Sequence, residues 1–133
     1  MTGAIGVKVI GLVLLTPALA LACGACLEDK MAATYDYAVS RQAAAKRLAV
    51  VYCDVQGQVT AERLRRAAAQ VDGLDATSVR TSGEPAAMSF ALDTTVSSAA
   101  AAVSRISTAL GGAGKVTLLR SVEPDNAIKQ GRP

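Results

Sequence analysis

The chain has 133 residues and no histidine, and 14 Lys and Arg residues face 11 Asp and Glu residues for a net charge of +3. Without imidazole, neither a Ser-His-Asp nor a Cys-His relay can operate, and no histidine can bind a metal ion. Special chemistry must therefore come from thiols, carboxylates or the backbone. With three tyrosines, one phenylalanine and no tryptophan, the chain also lacks the stacking platforms typical of nucleic-acid binding, so no nucleic-acid partner is predicted.

Residues 1–22 have the pattern of a bacterial signal peptide. Lys8 precedes a short apolar core at residues 9–15, and Pro17 separates that core from the small residues that end at Ala22. The apolar run is too short to span a bilayer core of roughly 30 Å. We therefore expect an exported protein, periplasmic or secreted, whose mature chain begins at Cys23.

The end of this segment is compatible with two kinds of cleavage. Ala20, Leu21 and Ala22 satisfy the A-x-A rule of ordinary signal peptidase. Followed by Cys23, the same stretch also resembles a bacterial lipobox, although that motif usually has leucine at the position of Ala20. The lipobox resemblance implies a lipoprotein in which Cys23 is lipidated and anchors the chain to a membrane. Both alternatives remain open at this stage.

Cys23 and Cys26 form a CxxC motif at the expected start of the mature chain. Thiolates bind soft metal ions such as Cu(I) and Zn(II), so the motif predicts a metal site. The same cysteines could instead form a disulfide, anchor a lipid or, less in keeping with the sequence, exchange disulfides. The motif resembles the thioredoxin active site, but no strand precedes it as that family requires. We predict no catalytic residues and no enzymatic activity.

Residues 23–46 are predicted to hold the CxxC segment and an N-terminal helix. No glycine or proline interrupts residues 27–45, and acidic residues open the segment while basic ones close it. A largely apolar stripe at helical spacing predicts the buried face of one continuous helix. Its members are Leu27, Met31, Tyr35, Ala38, Gln42 and Ala45.

Residues 47–122 predict a βαββαβ domain, and residues 123–133 a flexible polar tail. Thr60 and Ser97 or Ser98 are candidate helix caps, and the strand at 76–81 has the polar alternation of a sheet edge. Strands are predicted at 48–55, 76–81, 86–93 and 115–122. Right-handed crossovers between them produce an α+β, ferredoxin-like antiparallel sheet with an extra N-terminal helix.

Residues 48–122 resemble a heavy-metal-associated domain, the module of copper and mercury carriers. The resemblance is one of topology and of the run at 71–79, where the first helix ends at Gly73 before an apolar residue and a strand. In that family the CxxC lies in the loop between the first strand and the first helix. Here the loop at 56–60 reads Gln-Gly-Gln-Val-Thr, so no family ligand can be carried over.

The lengths of the N-terminal helix and the first strand predict where the cysteines would lie. A helix over 27–45 spans roughly 27 Å and the strand that follows roughly 26 Å. A short turn at Lys46 and Arg47 makes the two antiparallel, which places Cys23 and Cys26 beside Cys53 and Asp54. The predicted metal ligands are therefore Cys23, Cys26 and Cys53. A soft metal ion or an envelope protein is the expected partner.

Overall fold

A computed structural model describes residues 27–124 of the chain. The predicted signal peptide, the lipobox-like segment, Cys23, Cys26 and most of the predicted C-terminal tail lie outside the described residues. The expectations for those segments remain predictions.

The N-terminal helical region is divided into two helices, in contrast to the single helix predicted. Helix α1 covers residues 27–34, and α2 runs from Tyr37–Ala45. Asp36 between them is extended, with φ −137°, and its side chain accepts hydrogen bonds from the amides of Ala38 and Val39. Aspartate competes for backbone amides more effectively at a helix cap than inside a helix, and so a new helix begins here.

The break also changes which side of the region is buried. Val39 and Ala43 of α2 and Thr34 of α1 are buried, whereas Tyr35 is 57% exposed. Ala38, Gln42 and Ala45 of the predicted stripe are likewise exposed. The predicted stripe is thus wrong except at Met31, which is partly buried. Leu27 is 37% exposed, and beyond Met31 a 3.6-residue period cannot continue through a capped break.

The rest of the described chain has the order β-α-β-β-α-β. The four strands form one antiparallel sheet in the order β2-β3-β1-β4, with β2 and β4 at the edges. This is the predicted α+β, ferredoxin-like fold. Its elements are β1 (Ala49–Gly57), α3 (Ala61–Ala69), β2 (Leu74–Gly83), β3 (Ala86–Leu92), α4 (Ala99–Leu110), a 3-10 turn (Gly111–Ala113) and β4 (Gly114–Val122).

Local capping starts α3 and α4 where the sequence predicts, although α3 ends at Ala69, before the predicted end at Gly73. The Thr60 side chain accepts a hydrogen bond from the Arg63 amide, and the Ser98 side chain accepts one from the Ala101 amide. Gly111 ends α4 with φ +60°, a conformation that glycine adopts without a steric penalty.

The sheet is covered on both faces, by layers of unequal size. Helices α3 and α4 pack on one face around a core whose largest members are Phe90, Met88, Leu92 and Ile106. Helices α1 and α2 lie on the other face, over a small cluster of Ala43, Val50, Tyr52 and Ala91. The main hydrophobic core therefore lies on the α3 and α4 side.

Candidate functional site

Cys53 lies in the middle of β1, and its side chain belongs to the larger core. It is 1% exposed and clusters with residues of α3 and α4. Burial, together with the neighbouring Asp54 charge, raises the pKa of the Cys53 thiol to about 12. Because metal ions bind the thiolate, this buried and protonated thiol has the properties of a core residue.

Lys30 of α1 forms an ion pair with Asp54 near the end of β1. This contact agrees with the predicted antiparallel approach, since the beginning of the helix meets the end of the strand. Successive side chains of a strand point to opposite faces, however. Asp54 faces α1, whereas Cys53 faces α3 and α4. The sheet therefore separates the Cys53 thiol from the helix that follows Cys26.

The loop after β1, where heavy-metal-associated domains carry their cysteines, is closely packed here. Gly57 has φ +98°, and a Cβ added to it would lie 2.6 Å from the Ala113 carbonyl oxygen. A Cβ added to Gly114 would lie 2.2 Å from Cγ2 of Val59. Backbone and Val59 thus fill this end of the sheet, and the loop offers no sulfur or imidazole ligand.

Three polar links join the N-terminal helices to β2 and β3. Nε of Arg80 donates to Oδ2 of Asp36 at 2.9 Å, and Nζ of Lys46 lies 3.8 Å from Oδ2 of Asp75. The Ser89 hydroxyl donates to the carbonyl oxygen of Thr34 at 3.1 Å. These contacts were not predicted from the sequence. Asp36, a good helix-capping residue in the middle of the predicted helix, was the available signal.

Hydrogen bonding lowers the pKa of two carboxyl groups in these links. The Arg80 guanidinium, followed by the Val39 amide, holds the pKa of Asp36 below its ordinary value. The Thr77 side chain and amide do the same for the pKa of Asp75, with a smaller contribution from Lys46. Both groups are therefore stabilised in the charged form that the ion pairs require.

Within residues 27–124, the structure holds no group of three or more Cys, Asp or Glu side chains arranged to bind a metal ion. A groove between α3 and α4 is lined by small and polar side chains, without a carboxylate pair. Its residues are Gln70, Val71, Ser104, Arg105, Thr108 and Ala109. None of the helices in the described part of the chain has the length and hydrophobicity needed to cross a bilayer.

No protein-family model, curated protein or solved structure matches this chain.

Proposed function

We propose that the protein is an exported, non-enzymatic accessory domain that binds a soft metal ion, Cu(I) or Zn(II), through Cys23 and Cys26. The observation that carries the proposal is the position of α1. The Lys30–Asp54 ion pair holds the start of α1 at the end of β1. The cysteine pair directly precedes Leu27 in the sequence, so we expect it to lie near the sheet end at which heavy-metal-associated domains hold their ion.

Burial of Cys53 limits the proposed ligands to the N-terminal pair. Two thiolates are sufficient for a soft ion such as Cu(I), and Zn(II) would take further ligands from solvent or a partner. A donor pair beside an exposed helix end also suits an ion that is passed to an envelope protein partner. Cys53, with its pKa raised to about 12, contributes to packing in this proposal.

Competition with a chromogenic Cu(I) chelator under reducing conditions tests the proposal. We expect Cys26→Ser to weaken Cu(I) binding by about two orders of magnitude, because half of the thiolate donors are lost. Cys53→Ala is the matched control and should bind as the wild type does. Equal affinity of Cys26→Ser and wild type would rule out the cysteine pair as the site.

A second candidate function is that of a lipid-anchored interaction module. It is favoured by the lipobox-like residues before Cys23. In this case the Cys23 sulfur carries the lipid and is lost as a metal ligand. The intact mass of the exported protein separates the candidates, since a diacylglyceryl adduct supports the anchor and an unmodified Cys23 supports the metal site.

A further inference from the structure

Residues 27–46, which contain α1 and α2, form a strap across one face of the sheet. Three ion pairs connect the strap to the sheet at its beginning, middle and end: Lys30–Asp54, Asp36–Arg80 and Lys46–Asp75. The other ion pair of the described residues, Glu62–Arg66, lies within α3. Ionic contacts between separate elements are thus concentrated at this one interface.

The apolar part of the strap interface is small. Its cluster has four buried members, Ala43, Val50, Tyr52 and Ala91, whereas the cluster under α3 and α4 has sixteen. Burial of apolar area is the main stabilising contribution to packing, so the strap is held more weakly than α3 and α4 are.

A buried polar group weakens the strap interface further. The Thr34 hydroxyl is buried and has no hydrogen-bond partner among residues 27–124. An unsatisfied buried hydroxyl destabilises the packed state relative to one in which water can reach it. Opening the strap would relieve this cost.

We propose that the strap is a displaceable cover, which detaches at high ionic strength while the βαββαβ domain remains folded. Salt screens partly exposed ion pairs, but it does not weaken the hydrophobic core beneath α3 and α4. The side chains of the Arg80–Asp36 pair are 39% and 32% exposed, so this contact is accessible to salt. Such local opening below the free energy of global unfolding is typical of weakly packed elements.

Opening of the strap would have two consequences for the surface. It would uncover the apolar patch formed by Val50, Tyr52 and Ala91. It would also detach α1, whose first described residue Leu27 follows Cys26 in the sequence, from the end of β1. The inference itself does not depend on the proposed metal site.

A thiol reporter beneath the strap tests this proposal. Ser89 is 2% exposed on the strap face, and the native Cys53 is 1% exposed on the other face. We would pulse full-length Ser89→Cys protein with iodoacetamide and quantify modification at positions 89 and 53 by peptide mapping. Raising NaCl from about 0.05 M to about 1 M, where the Debye length falls to about 3 Å, should increase labelling at 89 by about tenfold and leave Cys53 unchanged.

A matched pair of substitutions identifies the ion pairs as the cause. When Lys30→Gln is added to the Ser89→Cys protein, iodoacetamide should modify the thiol at position 89 rapidly even at low salt. Arg66→Gln removes the same charge and also breaks an ion pair, but on α3, and should behave as the parent does. Hydrogen exchange of unsubstituted protein supplies a second measurement, in which amides of Tyr37–Ala45 should lose protection with salt while those of Ala99–Leu110 do not.

Three results would overturn the proposal. Position 89 and Cys53 could become labelled together, which would mean a single cooperative unit. Iodoacetamide labelling at position 89 and amide hydrogen exchange in α2 could both be independent of the NaCl concentration. The rate of labelling at position 89 could be the same in the Lys30→Gln and Arg66→Gln variants.

Discussion

Single residues of β1 and β4 show how closely this sheet is packed. Cys53 fills space in the larger core, while Gly57 and Gly114 allow the backbone of β1, the following loop and β4 to approach one another. Each position is closely surrounded, for a different reason. The thiol is protected by burial, and the glycines are required by distances too short for a Cβ.

The raised pKa of Cys53 predicts that the folded protein protects this thiol from alkylation. With a pKa of about 12, only roughly one thiol in ten thousand is ionised at pH 8. We expect iodoacetamide to modify Cys53 in denaturant but not in the native protein, as measured by peptide mass. Rapid native modification of Cys53 would contradict its placement in the core.

Gly114→Ala should destabilise the domain through overpacking. The added methyl would lie 2.2 Å from Cγ2 of Val59 and 2.8 Å from the Gln56 carbonyl oxygen. We expect a loss of about 1–3 kcal/mol in the free energy of unfolding by urea titration. Gly112→Ala is the control, because no atom lies within 4 Å of the added Cβ, and its effect should stay within about 0.5 kcal/mol.

At the scale of elements, the boundaries of the helices follow from their caps. Thr60 and Ser98 start α3 and α4 where the sequence predicts, and Asp36 starts α2 where it does not. The difference is that Asp36 also binds Arg80 on β2, 44 residues further along the chain. A local cap is thereby reinforced by a tertiary contact.

The ion pair between Asp36 and Arg80 should make the stability of α2 depend on pH. The pKa of Asp36 is lowered in the folded state, chiefly by Arg80. Its stabilising contribution is therefore complete above the unfolded pKa of about 4 and is lost as the pH falls through the lower folded value. Asp36→Asn keeps a capping oxygen but removes the charge. The difference in α2 amide protection between wild type and Asp36→Asn should be largest near pH 7 and shrink below pH ~4; a constant difference would contradict the ion pair.

On the scale of the whole molecule, the sheet has one extensive and one small covering layer. The consequence is that substitutions in the two layers should have different effects. Ile106 of α4 is fully buried in the larger core, whereas Ala43 of α2 belongs to the small cluster on the other face. Destabilising substitutions in the α3 and α4 layer should weaken the core on which the sheet depends. Those in the α1 and α2 layer should weaken the attachment of the strap.

Ile106→Ala should lower the free energy of global unfolding by about 2–5 kcal/mol, because it leaves a cavity in the main core. Val39 is buried on the strap side, and Val39→Ala should mainly speed the hydrogen exchange of α2 amides through local opening. Hydrogen exchange across both variants distinguishes the two effects. If Val39→Ala reduced protection equally throughout β1, β3 and α4, the strap and the core would form one unit.

Much of the fold could be predicted because its signals are local. Met88, Phe90 and Leu92 alternate along β3 and pack into one core, as the period of two requires. Local periodicity was less informative about the candidate site. Cys53 and Asp54 are adjacent in sequence, and the prediction that both lie near the start of α1 did not resolve which of them faces it.

The amino-acid sequence alone determined the order of strands and helices, the polar edge strand β2 and the caps at Thr60 and Ser98, because periodicity and capping depend on neighbours within a few residues. Only the tertiary structure decided that α1 and α2 cover the face opposite α3 and α4, and that Cys53 is enclosed on the other side of the sheet. These features depend on contacts such as Asp36–Arg80 and Lys30–Asp54 between segments distant in the chain. No local pattern encodes such contacts, since they arise from the packing of the whole domain.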